Sequence, residues 1–237
     1  MARYVRGDNT NYGVNNFREC GNPCGSVIED CNAGLMWEQA DSAAGMDWEA
    51  ALSYCEARTT GGYSDWRLPS AKELHSIVDY TKAPVATGSA AIDTKFSIST
   101  ITNEAGETDW PYFWTSTTHQ AENSIVGGAA VYFAFGKSLG YYSASGTNKQ
   151  WVDVHGAGAQ KSDPKKDSGV DYSEGNGPQG DAVRITNYVR CVRTETVEVY
   201  QNCNMQRAWS VAKRIGNRAC YTLTETLPNT AGQFFNY

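Results

Sequence analysis

"YSDWRLPSAKELHSIVDYTKAP", Tyr63 to Pro84, sets an aromatic-basic-proline knot directly in front of a well-punctuated helix. Ser70 and Glu73 stand at capping-box spacing, Ser-x-x-Glu, so each side chain can satisfy an orphan amide of the first turn. Leu74, Ile77 and Val78 supply the buried stripe, and Pro84 closes the segment. Upstream, "GMD" announces another helix. Asp47 is a good N-cap, and Trp48, Ala51, Leu52 and Cys55 then recur at helical spacing until "TTGGYSD" makes a loop.

Further out the helical period disappears. Residues 1–36 read as strands and loops, with "RYVRG" and "NNF" extended and Gly and Asn at the joints. After residue 95, "YFWTSTT", "AAVYFAFG", "QWVDVHG" and "AVRITNYVRCVR" are rich in β-branched and aromatic residues and read as strands. Between the last two lies a long polar stretch, Gly156 to Gly180, dense in Gly, Asp, Lys, Ser and Pro. A loop of that length in a compact domain is a functional or a disordered one. Beyond Val197, "NMQRAWSVAKRI" has a helical stripe at Met205, Ala208, Trp209 and Ala212, and "YTLTETL" reads as a strand. The order of strands, two helices and then strands with long loops predicts an α+β fold, with the helices packed on antiparallel sheet.

At 237 residues with 41% hydrophobic content, the chain can build a real core, and its 14 tyrosines and 7 tryptophans imply aromatic packing or an aromatic binding surface. A net charge of −6 argues against nucleic acid and against anionic membranes as partners. No run approaches the roughly 18 apolar residues of a membrane span, so membrane insertion is not expected. The start, "MARYVRGDNTNYG", lacks the apolar core of a signal peptide, which leaves a cytosolic chain or a piece of an exported one.

Cysteine usage favours the second. Cys20, Cys24, Cys31, Cys55, Cys191, Cys203 and Cys220 include no Cys-x2-Cys pair, and His75, His119 and His155 lie elsewhere, so no zinc pattern is present. Structural disulfides and an oxidising, extracellular or cell-surface compartment are the better reading. Seven is odd, so at least one thiol stays free or pairs outside the chain. Within Cys20, Cys24 and Cys31 one pair is expected and one thiol should remain, with the choice open. Cys203 and Cys220 can tie off the tail.

"AGLMWE" (Ala33–Glu38), "ALSYCEA", "GGYSDWRLPSAKEL", "FWTSTT" and the closing "YVRCVR" occur in order, and together they resemble the Lcl C-terminal-domain family. The likeness runs over roughly residues 24–194. It implies a C-type-lectin-like fold, with two helices packed on small antiparallel sheets and long loops forming a variable binding face. It makes the knot a scaffold corner: Trp66 and Leu68 become core wedges, Pro69 stiffens the helix entry, and Arg67 pairs with a carboxylate or binds loop carbonyls. It also implies a disulfide between Cys55 on the first helix and Cys191 in the closing strand. "RYVRG" echoes "NYVRCVR" (Asn187–Arg193) without the cysteine. Residues 1–7 are therefore either the end strand of a preceding related domain or an N-terminal edge strand. The main domain is expected over 8–197, with 198–237 a tail packed on it or extending it.

Candidate chemistry is sparse. Ser116 and His119, three apart on a strand, point to opposite faces, and no nucleophile elbow or phosphate loop occurs. Cysteine oxidase chemistry, as in the formylglycine-generating enzymes that share the broad architecture, needs a reactive pair, whereas Cys55 and Cys191 look structural. Asp153 and His155 are two apart on a strand and share a face. Asp163, Asp167, Asp171, Glu174 and Asp181 follow, oxygen donors of the kind calcium takes. Asp153, His155, Asp163 and Asp181 are the candidate metal set. The spacing is not that of an EF-hand, and "RITN" stands where the lectin fold's Trp-Asn-Asp calcium signature would be, so no cofactor is required although calcium fits the composition. Hydrogen bonds from Asp153 and His155 into the glycine-rich turn are the other means of ordering the loop. Trp110, Tyr112, Tyr141, Tyr142, Trp151 and Tyr172 form the candidate ligand-binding surface, while Trp114 and Phe133 are read as core.

These readings lead to a non-enzymatic extracellular ligand-binding domain serving adhesion or recognition, whose partner is a glycan or a surface protein. The adhesin that names the family is associated with sulfated polysaccharides. At −6 the present chain suits such a ligand only if Lys161, Lys165 and Lys166 make a local basic patch. The alternative is a structural subunit of a surface filament, which would self-associate. An enzyme of the formylglycine-generating type rests on fold alone.

Overall fold

The computed structural model describes residues 15–21, 24–120 and 127–194. The echo at 1–7, the tail at 198–237 and the Cys203–Cys220 pairing lie outside the described residues. Within them the fold is mixed α/β, with few helices and small antiparallel sheets. Strands β1 (Phe17–Glu19), β2 (Val27–Asp30) and β3 (Leu35–Glu38) join β11 (Val192–Thr194) in a sheet of order β1-β2-β3-β11. Strands β6 (Tyr112–His119), β7 (Ala129–Ala134) and β10 (Gln160–Pro164) form a second, of order β10-β7-β6. Two-stranded ribbons pair β4 (Ile101–Thr102) with β5 (Thr108–Asp109) and β8 (Leu139–Tyr142) with β9 (Gln150–Asp153).

Both expected helices start at their expected caps, but the second ends at Ser76, so Ile77 and Val78 of its expected stripe are buried just beyond it. In α1 (Trp48–Glu56), the Asp47 side chain accepts from the Ala50 amide at 2.8 Å. In α2 (Ala71–Ser76), Ser70 and Glu73 make the reciprocal capping box. A third, one-turn helix, α3 (Pro84–Thr87), starts where Pro84 had read as a stop, because proline is equally suited to the first helical position. The apolar faces of α1 and α2 meet the second sheet. Ala51 and Cys55 pack with Trp114, Tyr132 and Met36, and Leu74 and Ile77 pack with Phe113 and Phe133.

Motifs far apart in sequence converge on one corner. Trp66 and Leu68 are each 2% exposed, and the Trp66 indole donates to the Thr60 carbonyl at 3.0 Å. Arg67 exchanges both backbone hydrogen bonds with Val192 at 2.9 Å, and its guanidinium grips Glu73 with two bonds, at 2.8 and 2.6 Å. Arg193 of the closing strand reaches back to the Asp65 carboxylate at 2.6 and 3.1 Å and lies over the Tyr63 ring. Cys55 and Cys191 are disulfide-bonded with Cα atoms 5.5 Å apart, fixing α1 to the residue that leads into β11. The fully buried Arg190 donates to the carbonyls of Glu38, Gln39 and Ser97, and burial lowers its pKa to about 10. The knot is therefore a scaffold corner, locked to the end of the domain.

Two strand expectations need correction. "AVRITNYVRCVR" forms a ladder only from Val192 onward. Ile185 takes a left-handed conformation (φ 60°), and the Arg184 and Ile185 amides donate to Asp163 instead of to a neighbouring strand. The polar stretch after Gly156, read as one loop, contains β10. There Gln160 to Pro164 pair with Phe133 to Ala129 along the edge of the second sheet.

A candidate ligand-binding face

The β8–β9 ribbon is built to display rings. Tyr141 and Trp151 are direct cross-strand partners, so their side chains share a face. Their ring centroids are 5.3 Å apart at an interplanar angle of 50°. Lys149 lies 5.9 Å from the Tyr141 centroid and 3.7 Å from the Glu174 carboxylate. Tyr142, next along β8, alternates to the opposite face and is exposed.

Residues 176–182 dock along β8. The Tyr141 amide donates to the Gly180 carbonyl at 2.8 Å, and Ala182 donates to Leu139 at 2.9 Å. Asn176 and Asp181 exchange backbone hydrogen bonds at 2.8 and 2.7 Å across a tight turn. Gly175 has a positive φ of 70° and packs against the Gly180 carbonyl, where a Cβ has no room. This turn carries Asp181 into a polar cleft of about 370 Å³. The Asp181 carboxylate meets the Lys161 ammonium and the His155 imidazole, the latter at 2.7 Å, and Lys161 also lies 2.8 Å from His155 Nε2. On the other side of the cleft, His119 Nδ1 and the Ser162 hydroxyl are 2.7 Å apart.

The expected site residues divide between face and core. Tyr141, Tyr142 and Trp151 are brought together on one ribbon. Tyr172 is half-buried nearby, and its carbonyl accepts from Gly175, one residue beyond Glu174. Trp110 instead leans on the core beside Phe113 and Phe135. Tyr112 is a correction. It is 1% exposed and stacks on Tyr132 with centroids 4.5 Å apart, while its hydroxyl accepts from the Leu139 amide at 3.3 Å. Trp114 and Phe133 are fully buried, as read.

The four candidate metal ligands do not share a point. Asp153 Oδ1 accepts from the Ser138 amide at 3.0 Å and the Gly156 amide at 2.9 Å, which is the hydrogen bonding into the glycine turn that the sequence suggested. His155 lies just past the end of β9 and turns to Asp181. Asp163, the clearest correction, is 1% exposed and faces the interior, where Asn187 Nδ2 also donates to it at 3.0 Å. Asp167 and Asp171 each cap an amide two residues on. Among the described residues, the donor atoms that do converge are those of Cys20, Cys24 and Glu29. The two sulfurs form a disulfide with Cα atoms 5.7 Å apart, and Glu29 is ion-paired with Arg18. Cys31 is disulfide-bonded as well, against the expectation of a remaining thiol in this trio.

Ser116 and His119 are not partners, since Ser116 donates to the Pro69 carbonyl at 3.3 Å. Sequence reasoning missed the Ser162–His119 and Lys161–Asp181 contacts, because both depend on β10 lying beside β7. The only hint was the Lys161–Asp163 alternation inside a polar run.

The model of the Lcl C-terminal domain matches residues 26–153, more than half of the chain. The protein belongs to that family. The matched region holds the knot, both capped helices, the buried pair β6–β7 and the aromatic ribbon, and it stops at the end of β9. No curated protein and no solved structure matches the chain significantly.

Proposed function

We propose that this Lcl C-terminal domain is a non-enzymatic ligand-binding module of an exported bacterial surface or secreted protein, and that its ligand is a glycan. In this reading its small sheets and helices follow the C-type-lectin-like plan. The Cys55–Cys191 disulfide supports an oxidising compartment. The observation that carries the reading is the paired Tyr141 and Trp151 rings on a two-stranded ribbon, whose strand β8 pairs with the segment that brings Asp181 to Lys161 in the polar cleft. Rings offer a flat apolar surface to the C–H face of a sugar, and the flanking polar groups take its hydroxyls.

Charge distribution favours a neutral glycan over a sulfated one. The three lysines that would form a basic patch are divided. Lys161 is neutralised by Asp181, Lys165 lies over the Trp48 ring and donates to Thr118, and Lys166 alone is exposed without such contacts among the described residues. His119 and Ser162 lie close, but no carboxylate hydrogen-bonds to His119 among the described residues, so the third member of a hydrolytic triad is missing there.

A glycan and protein array, run with and without chelator, tests the proposal. Binding to neutral glycans is the expected result, and the chelator arm shows whether calcium contributes. Exclusive binding to sulfated chains, or concentration-dependent polymers in place of array binding, would overturn it; polymers would point to the filament subunit.

A further inference from the structure

A second cleft, of about 280 Å³, lies between the β4 strand and residues 183–188, away from the aromatic ribbon. Its walls are apolar at Ile101, Pro111 and Tyr188, and polar at Thr102, Arg184 and Asn187. Arg184 is packed over the Tyr112 ring, 3.6 Å from its centroid, and its Nε and Nη2 hold the Glu104 carboxylate at 2.8 and 3.0 Å. Its third nitrogen, Nη1, is buried without a hydrogen-bond partner among the described residues. Asn187 is 1% exposed; its Nδ2 donates to Asp163, yet its Oδ1 is likewise buried and unmet. Buried polar atoms are rarely left unmet in folded proteins. Here a spare donor and a spare acceptor belong to two residues that line one cleft.

From this pair we infer a second ligand site, one that takes a single neutral sugar ring. A hydroxyl both donates and accepts, so one or two adjacent hydroxyls satisfy Asn187 Oδ1 and Arg184 Nη1 together. Glu104 already balances the Arg184 charge, which removes the advantage of an anionic ligand. Thr102 and Thr186 add hydroxyls at the rim, and Ile101, Pro111 and Tyr188 suit the C–H edges of a ring. The site does not use Tyr141 or Trp151, and its test reads separately from theirs.

The experiment is an NMR titration of the isotope-labelled chain with glucose, galactose, mannose and N-acetylglucosamine, following the Asn187 side-chain amide and the Arg184 Nε–H. A saturable shift of both signals with at least one sugar, at a millimolar Kd, is expected. It should persist in Trp151→Ala, disappear in Thr102→Trp, whose bulk fills the rim, and be no stronger with glucuronate. Three results would overturn the site: no saturable shift with any of the four sugars, tighter binding of glucuronate, or a crystal structure in which a fixed water bridges the two atoms and no sugar displaces it. The wild-type titration decides the matter even if Thr102→Trp fails to fold.

Discussion

Asp163 carries a carboxylate where almost no water reaches it. Burial raises its pKa from 3.8 to about 6, even though the Asn187 side chain and the Arg184 and Ile185 amides favour the charged form. The folded state therefore holds a proton at pH values where the unfolded chain has released it. The resulting stability is fully present below pH 3.8, is lost as pH rises through about 6, and is flat above. A rise of that size corresponds to roughly 3 kcal/mol. Asp163→Asn keeps an acceptor oxygen but cannot titrate, so the melting temperature of wild type should fall relative to the variant between pH 4 and 6; parallel curves would contradict the assignment. Glu73 shows the opposite sign. Burial alone would raise its pKa, but the Arg67 guanidinium and the Ser70 amide bring it down to about 2. Its contribution is present above 4.5 and lost as pH falls toward 2. Because the Arg67 side chain is 42% exposed, Arg67→Ala should cost only about 1 kcal/mol in a denaturant melt at neutral pH, with the deficit shrinking in acid. A variant that melts like wild type yet loses its ligand would make Arg67 a binding residue and not a corner.

At the scale of elements, the helices were legible and one sheet edge was not. Asp47 and the Ser70–Glu73 box announce α1 and α2 because caps are local chemistry, decided within four residues. β10 carries Lys161, Ser162, Asp163 and Pro164, which have little strand propensity of their own; pairing with the apolar β7 imposes the conformation, and proline is tolerated at the edge. The reverse holds for 182–186, whose sequence promises a strand but whose Arg184 and Ile185 amides go to Asp163; from Asn187 the segment makes isolated bridges to Met46 and Phe113. The link between α1 and the closing segment was implied only by resemblance, and the Cys55–Cys191 bond bears it out. It closes a loop between residues 136 apart, for which chain entropy gives an upper figure of about 5 kcal/mol. Replacing both cysteines with alanine should lower stability by about 3–5 kcal/mol, read as a shift of the denaturant midpoint. Non-reducing peptide maps of the native protein that find either thiol free would refute the bond.

Over the whole molecule, the aromatic residues that sequence reading grouped together are divided by the fold between a ribbon and the core. Tyr141, Tyr142 and Trp151, read as rings close to the long loops, share one ribbon. Tyr112 was counted with them, but it opens β6, whose first four residues are all buried, and it stacks on Tyr132 inside. The acidic residues from Asp153 onward suggested one ion site, but backbone amides take Asp153, Asp167 and Asp171, Lys149 pairs with Glu174, and Lys161 and His155 share Asp181. Long-range pairing decides those partnerships, and no local pattern records it. What results is a rigid corner at Asp65–Arg193 and Cys55–Cys191 that carries a ring-bearing ribbon and its neighbouring cleft. The most direct test is the affinity of Trp151→Ala for the strongest neutral glycan on the array, measured by calorimetry alongside its melting temperature. The half-buried ring is expected to leave the melting temperature within a few degrees of wild type, while affinity falls by at least about tenfold, the range seen when an aromatic anchor is truncated. Unchanged affinity in a variant that melts like wild type would contradict the account.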